Sequence, residues 1–383
     1  MSVALAPPGR SVGVRGLGLA TRRSAVTIVV GICSVWAVAL AIGLIADPRS
    51  FAFDFRGDLY DAARAILHGH SPYQQSYIDL QAAIKRAGGT PDTFFSKPVF
   101  LPPVQLAAVP LCLLPFGVAA ALFVGFSALA IPAALWLLGV RDWRCYGIAC
   151  VSYPVVTGVL TGTLTPLLVL GIALAWRYRE GLWSPGVAVA AAVVAKLFLW
   201  PLGVWLAVTR RRRALLAAVA LGASGTLAAW GVIGFAGLTS YPSMAANVSL
   251  ISEGAGISLT GALLAVGFPL ELARAGTVLA ACALLAMIWR VARRPDGDRR
   301  AFGLAVMTAL VGFPVVWEHF VVLALVPIAL LSPGLSALWL VPLLGWLAAY
   351  AHTDGALLKM VPYLAIEAIV IWRLWARAPT EPG

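Results

Sequence analysis

Between Ser24 and Ala46 the chain runs for twenty-three residues without one charged side chain. A helix needs about 20 predominantly apolar residues to cross a bilayer, and this run is too long for the apolar core of a cleavable signal. The run therefore predicts a first transmembrane helix over 24–46. Arg10, Arg15, Arg22 and Arg23 precede it, and basic residues mark the cytoplasmic side of a span, so residue 47 and its successors are expected outside. The rest of the chain follows suit. Of its 383 residues 61% are apolar and 11% charged, against roughly half and a quarter in a soluble domain. A soluble globule is excluded, and the fold expected is an all-α, polytopic membrane protein in a single domain over 1–383. The formal charge of +12 reads as a topology signal rather than a nucleic-acid footprint, so no nucleic-acid partner is expected.

Apolar runs predict further spans at 100–114, 117–139, 145–160, 163–176, 186–208, 214–236, 258–290 (one or two), 301–316, 320–333, 335–351 and 356–375. The expectation is about 10–12 transmembrane helices. Many of these runs are short and broken by proline, and broken helices are tolerated at membrane depth only against protein or a cavity. Arg177 and Arg179, Arg210 to Arg213 and the stretch 290–300 all read as cytoplasmic. If so, residues 183–208 form a hairpin that enters and leaves on one side with Lys196 near its tip; a straight span is the alternative. Two anchors bracket a second outer loop near 237–257, and Arg373 and Arg377 suggest a cytoplasmic C-terminus. The five cysteines lie in or beside apolar runs, lack metal-site spacing and read as small hydrophobes.

Polar chemistry gathers in the interval 47–98. It holds six of the sixteen acids (Asp47, Asp54, Asp58, Asp61, Asp79, Asp92) and two of the four histidines, His68 and His70. Leu59, Ala62, Ala63, Ile66 and Leu67 recur at helical spacing, with Asp58, Asp61, Arg64 and His68 on the other side. That pattern is a short amphipathic helix, expected to lie flat on the membrane and to stop at Gly69 and Ser71-Pro72. Asp54, directly beyond the first span among aromatic neighbours, is either a general base of raised pKa toward a hydroxyl or the partner of Arg56. Lys196, one of four lysines, is either a buried ammonium that needs an anion or a snorkelling side chain. His319 either donates to a phosphate or pairs with Glu318. Arg64 is either a substrate contact or part of a solvated face, and Tyr73 either stacks on a sugar or anchors at the interface.

These residues fall in strings that resemble a known family. Asp54-Phe55 followed by Tyr60 to Tyr73, with Ala63-Arg64-Ala65-Ile66-Leu67-His68-Gly69 and Ser71-Pro72-Tyr73, is similar to the first outer loop of glycosyltransferase family 87. That family contains polyprenyl-phosphate-mannose-dependent alpha-mannosyltransferases of GT-C architecture. Phe100-Leu101-Pro102-Pro103 and Pro110 to Gly117 resemble its F-x-Y-P-P and P-L-x-L-L-P-F-G blocks, with Leu101 in place of the tyrosine. Ala195-Lys196-Leu197-Phe198 with Arg210 to Arg213 resembles its lysine segment and basic turn, and Trp317-Glu318-His319-Phe320 its W-x-H-Y/F. Gly162-Thr163-Leu164-Thr165 departs from the usual G-Q/N-x-N/T.

The resemblance implies an inverting hexosyltransferase of the bacterial plasma membrane with its site facing the periplasm or outside. Its partners would be a polyprenyl-phosphate-sugar donor, a glycan or glycolipid acceptor and membrane lipid. Asp54 aligns with the catalytic acid; Asp58, Arg64, Tyr73, Lys196 and His319 are the substrate-binding candidates. No cofactor is expected, and a divalent metal on Asp54 and Asp58 is a minor alternative. The sequence holds no phosphate-binding G-x-x-x-x-G-K-[ST] loop and no H-E-x-x-H zinc motif. The competing class is a transporter or flippase of lipid-linked sugars, which would want charges at several mid-span positions and internal symmetry.

Overall fold

The computed structural model describes residues 14–47, 49–73, 75–92, 100–349 and 356–376, with side chains from Val26 onward. Arg10, Lys97 and Arg377 lie outside the described residues, as do the side chains of Arg15, Arg22 and Arg23. Among the described residues there are helices and no strand, as expected where lipid offers the backbone no partner. The protein is an all-α, multi-pass membrane protein.

The helices are α1 (Val14–Ala46), α2 (Asp61–Leu67), α3 (Gln75–Arg86), α4 (Pro102–Ala107), α5 (Val109–Cys112), α6 (Phe116–Leu137), α7 (Trp143–Cys150), α8 (Tyr153–Leu160) and α9 (Thr165–Arg177). They continue as α10 (Ser184–Ala195), α11 (Pro201–Val208), α12 (Arg212–Val232), α13 (Tyr241–Ser252), α14 (Leu259–Ala265), α15 (Leu270–Val291), α16 (Gly297–Val311), α17 (Leu325–Leu331) and α18 (Leu357–Trp375). A π turn covers Phe55–Tyr60, and 3-10 turns cover Leu197–Leu199, Glu318–Ala324 and Ala337–Leu347.

The expected 10–12 spans are not that many full-length helices. Only four among the described residues are long and apolar enough to cross alone: Val26–Ala46, Phe116–Leu137, Arg212–Val232 and Leu270–Val291. Much of the remainder is built from pieces. Helices α8 and α9 meet at 111° across a short break, and the run 100–114 is two short helices started by Pro102-Pro103 and Pro110. Run 258–290 is two helices, the first capped by Ser258 Oγ, which accepts from the Gly261 N–H at 3.0 Å. Proline removes a backbone donor and blocks the preceding turn, so a proline-punctuated apolar run becomes short helices joined at angles.

A charged cluster ties several of these pieces together at one end. Arg211 donates to Asp298 through two bonds of 2.8 and 2.9 Å and to the Arg179 carbonyl at 3.0 Å, and Trp205 Nε1 donates to Asp298 at 2.8 Å. The residues just before α10 and just after α11 therefore touch. Segment 183–208 is the hairpin and not a straight span, with its turn at Lys196. From this end α9 and α16 run about 20 Å to the opposite end, where the 160–162 and 313–319 turns and the polar interval meet.

The amphipathic segment differs from its expected surface position. Phe55, Leu59, Tyr60 and Ala63 are buried against Phe100, Ala108, Cys112, Ala119 and Phe123, so its apolar face is turned into protein rather than lipid. Gly69 ends it in a left-handed conformation, φ 75°, as its sequence suggested. The segment 237–257, expected from the sequence as a second outer loop, is largely helical: α13 packs on α3 through Arg86 to Asn247, and Asn247 Nδ2 donates to Asp79 at 2.8 Å.

Candidate active site

At the end of the bundle away from the Arg211–Asp298 cluster lies a cavity of about 500 Å³, and its lining includes Asp54, Asp58, Lys196, Glu318, His319 and Lys359. Four of these were singled out from sequence; Glu318 was weighed only as a partner of His319, and Lys359 was not singled out at all.

Asp54 is placed by a backbone staple. The Ala52 N–H donates to the Leu160 carbonyl and the Asp54 N–H to the Thr161 carbonyl, both at 2.9 Å. Gly162 makes this approach possible. It sits at φ 72°, and a Cβ there would lie 2.8 Å from Phe55 Cβ and 3.2 Å from Ala52 Cα. Phe55 is fully buried and stacks on Phe123 with centroids 4.5 Å apart. The segment is thus pinned on two sides. We predict that Gly162→Ala lowers stability by about 2–5 kcal/mol, from the left-handed backbone penalty and the overpacking together, and lowers any activity that depends on Asp54. Thermal unfolding in detergent checks it; an unchanged midpoint would mean that the staple is not under this constraint.

Asp58 departs from its expected place on the polar face with Asp61 and Arg64. The wider spacing of the π turn, a form that recurs at functional sites, turns Asp58 with Asp54 toward the cavity and leaves Asp61 and Arg64 exposed. Arg56 stands over the Phe116 ring, 4.0 Å from its centroid. The other acids of the interval have different work. Asp47 accepts from the Arg49 N–H and Ser50 Oγ, bonds that hold its carboxyl below the usual carboxylate range. Asp79 accepts from Gln75 and Asn247, and Asp92 accepts from Tyr77.

Lys196 ends α10 in an extended conformation (φ −147°, ψ 103°), which breaks the hairpin and aims its ammonium between two rings. Nζ lies 4.7 Å from the Phe100 centroid and 4.5 Å from that of Phe320, a cation–π arrangement that partly replaces lost water. Asp54, Asp58 and His319 line the same cavity as Lys196. His319 is the second residue of the 3-10 turn Glu318–Ala324 and meets the Phe320 ring edge-on at 4.8 Å. Gly158 permits this, since a Cβ on it would lie 3.2 Å from His319 Cβ. Glu318 does not pair with His319: its Oε1 is 2.7 Å from Lys359 Nζ.

Arg64 and Tyr73, the other two substrate-binding candidates, are outside the cavity lining. Arg64 is exposed. Tyr73 is buried, donates to the Phe100 carbonyl at 3.1 Å and packs on Trp230 and Tyr241, so it braces the cavity wall instead of reaching into it. Thr163 lines the cavity while donating to the Gly158 carbonyl at 3.1 Å. Among the described residues no group of three His, Cys, Asp or Glu side chains is arranged to hold a metal ion.

Beside this cavity an apolar groove of about 540 Å³ runs between α10, α11 and α12, and Leu101, Val194 and Leu197 line both. A chamber lined by carboxylates and lysines thus shares a wall with an apolar groove. The sequence model of glycosyltransferase family 87 matches residues 99–316, more than half of the chain. The chain belongs to glycosyltransferase family 87. The matched range carries the Phe100 to Gly117 block, Lys196 and the hairpin, and stops short of the Asp54 string and His319. Neither a curated protein nor a solved structure matches the chain. A family 87 protein is a membrane glycosyltransferase, which requires a sugar donor and an acceptor.

Proposed function

We propose that this glycosyltransferase moves a hexose, mannose in our reading, from a polyprenyl-phosphate-linked donor to a hydroxyl of a glycan or glycolipid, with inversion and with Asp54 as the general base. The observation that carries this is the meeting of Asp54, Asp58, Lys196 and His319, from three distant stretches of chain, around one cavity continuous with an apolar groove. The donor's prenyl chain lies in the groove, which places its phosphate beside Lys196. The acceptor oxygen attacks the anomeric carbon as Asp54 takes the hydroxyl proton; the bond from that carbon to the phosphate oxygen breaks, and the lipid phosphate leaves. The leaving group gains one negative charge in this step, which Lys196 offsets and His319 supports by hydrogen bonding. No nucleotide enters.

The same geometry supports an outward-facing site on a bacterial plasma membrane. Arg179 and Arg211 mark the end of the bundle opposite the cavity, and the positive-inside rule assigns that end to the cytoplasm. The test is incubation of the purified protein in lipid with radiolabelled polyprenyl-phosphate-mannose and a membrane glycolipid extract. Label is expected in the glycolipid fraction. Donor that is neither bound nor consumed would sink the mannose assignment, whereas donor moved between leaflets without sugar transfer would favour a flippase.

A further inference from the structure

Charged side chains enter the cavity from several elements. Lys196, Asp54 and Asp58 line it, and so do Glu318 and Lys359, which form an ion pair at 2.7 Å with side chains 16% and 15% exposed. The helices that carry the two lysines pack in different company. Helix α12, a wall of the apolar groove, packs on α10, α11 and α4, whereas α18, which carries Lys359, packs on α14, α16, α17 and the 3-10 turns Glu318–Ala324 and Ala337–Leu347. The apolar groove therefore lies beside the helix of Lys196 and not beside that of Lys359.

We propose that the Glu318–Lys359 pair is the subsite for the sugar ring of the acceptor, a neutral hexoside held through two neighbouring hydroxyls. This rests on the glycosyl-transfer reading above. The chemistry of the pair selects such a ligand. An ion pair carries almost no net charge, so an incoming phosphate gains little from Lys359 and is repelled by Glu318. A hydroxyl is both donor and acceptor. One hydroxyl of a vicinal pair donates to the carboxylate while its neighbour accepts from the ammonium, and the 2.7 Å between Oε1 and Nζ resembles the gap between neighbouring oxygens on a pyranose ring. Trp317, Ser249 and Ser252 line the same cavity, an aromatic residue and two hydroxyls of the kind a sugar ring contacts. A site whose polar groups are desolvated and aimed at substrate hydroxyls discriminates strongly against a ligand that lacks them.

The experiment uses the full-length protein in lipid, with radiolabelled polyprenyl-phosphate-mannose as donor and octyl α-mannoside as the acceptor probe, and compares wild type with Lys359→Met, Lys359→Arg and Glu318→Gln. In Lys359→Met and Glu318→Gln the half-saturating acceptor concentration is expected to rise at least tenfold. Donor binding, read by filter retention of the label, stays within twofold, and Lys359→Arg recovers part of the acceptor affinity. Equal loss of donor binding and acceptor affinity, or a fall in unfolding temperature with no change in acceptor affinity, would make the pair a structural latch and overturn the proposal. Wild type that transfers to a glycolipid extract but not to the mannoside overturns the hexoside subsite alone; wild type that transfers to neither overturns the glycosyl-transfer reading first.

Discussion

Asp54→Asn is expected to reduce sugar transfer by about 10² to 10⁴-fold, the range of a positioned general base, while leaving donor binding intact. Asparagine matches aspartate in shape but cannot take a proton. The substitution also spares the features that position the residue, since the staple is made by the Asp54 backbone N–H to Thr161 and not by its carboxyl. Folding should therefore survive and the rate should not. The decisive comparison is with Asp58→Asn, because Asp58 lines the same cavity one turn further along. If Asp58→Asn abolishes transfer and Asp54→Asn does not, the base lies at Asp58 and Asp54 serves the acceptor. Single-turnover transfer of label, with filter binding run beside it, separates the two. A binding loss as large as the rate loss in Asp54→Asn would show that the carboxylate organises the donor site instead of moving a proton.

Those candidates came from the sequence because their signal is local. A charge beyond or inside an apolar run carries a cost that marks it, which singled out Asp54 and Lys196 without any knowledge of the fold. The basic turns offered a hairpin at 183–208 beside a straight span, and the Arg211 bonds to Asp298 and Arg179 show both ends of the hairpin together. Other features were illegible for equally physical reasons. Apolar composition reports that a run avoids water, but not whether lipid or protein covers it, so the segment 55–67 was read as lying on the membrane when its apolar face is buried against α4, α5 and α6. Helical periodicity assumes the α spacing, and a single π turn moved Asp58 to the other face. Lys359 escaped notice because its partner Glu318 is distant in sequence and neither residue has a neighbourhood that announces the pair. The buried bond of Glu253 with Arg274, bidentate at 2.9 Å, and the enclosed Glu367 on α18 are of the same kind. Tyr73 had a motif and an interfacial character, yet its hydroxyl is committed to the Phe100 carbonyl.

Lys196→Met should lower kcat/KM by about 10² to 10³-fold, the cost of removing one preorganised partner of a developing charge, or about 3–4 kcal/mol of transition-state stabilisation. Most of that loss should fall on kcat. The donor is a phosphodiester with one negative charge, whereas the departing lipid monophosphate carries two, so the ammonium interacts more strongly with the transition state than with the bound donor. An interaction that grows along the reaction raises kcat, and its removal lowers kcat more than it raises KM. Stability should move little, because two effects oppose each other: methionine removes the cost of an ammonium taken out of water between the Phe100 and Phe320 rings, but it leaves Asp54 and Asp58 in the same cavity without that cation. Arginine is no simple replacement, because its planar fork must fit between the same two rings, and Lys196→Arg should recover activity only in part. A rise in KM alone would make Lys196 a ground-state anchor for the phosphate. A fall in stability with unchanged kinetics would make it a structural cation for Asp58 and Asp54, and the leaving group's charge would then have to be met by His319.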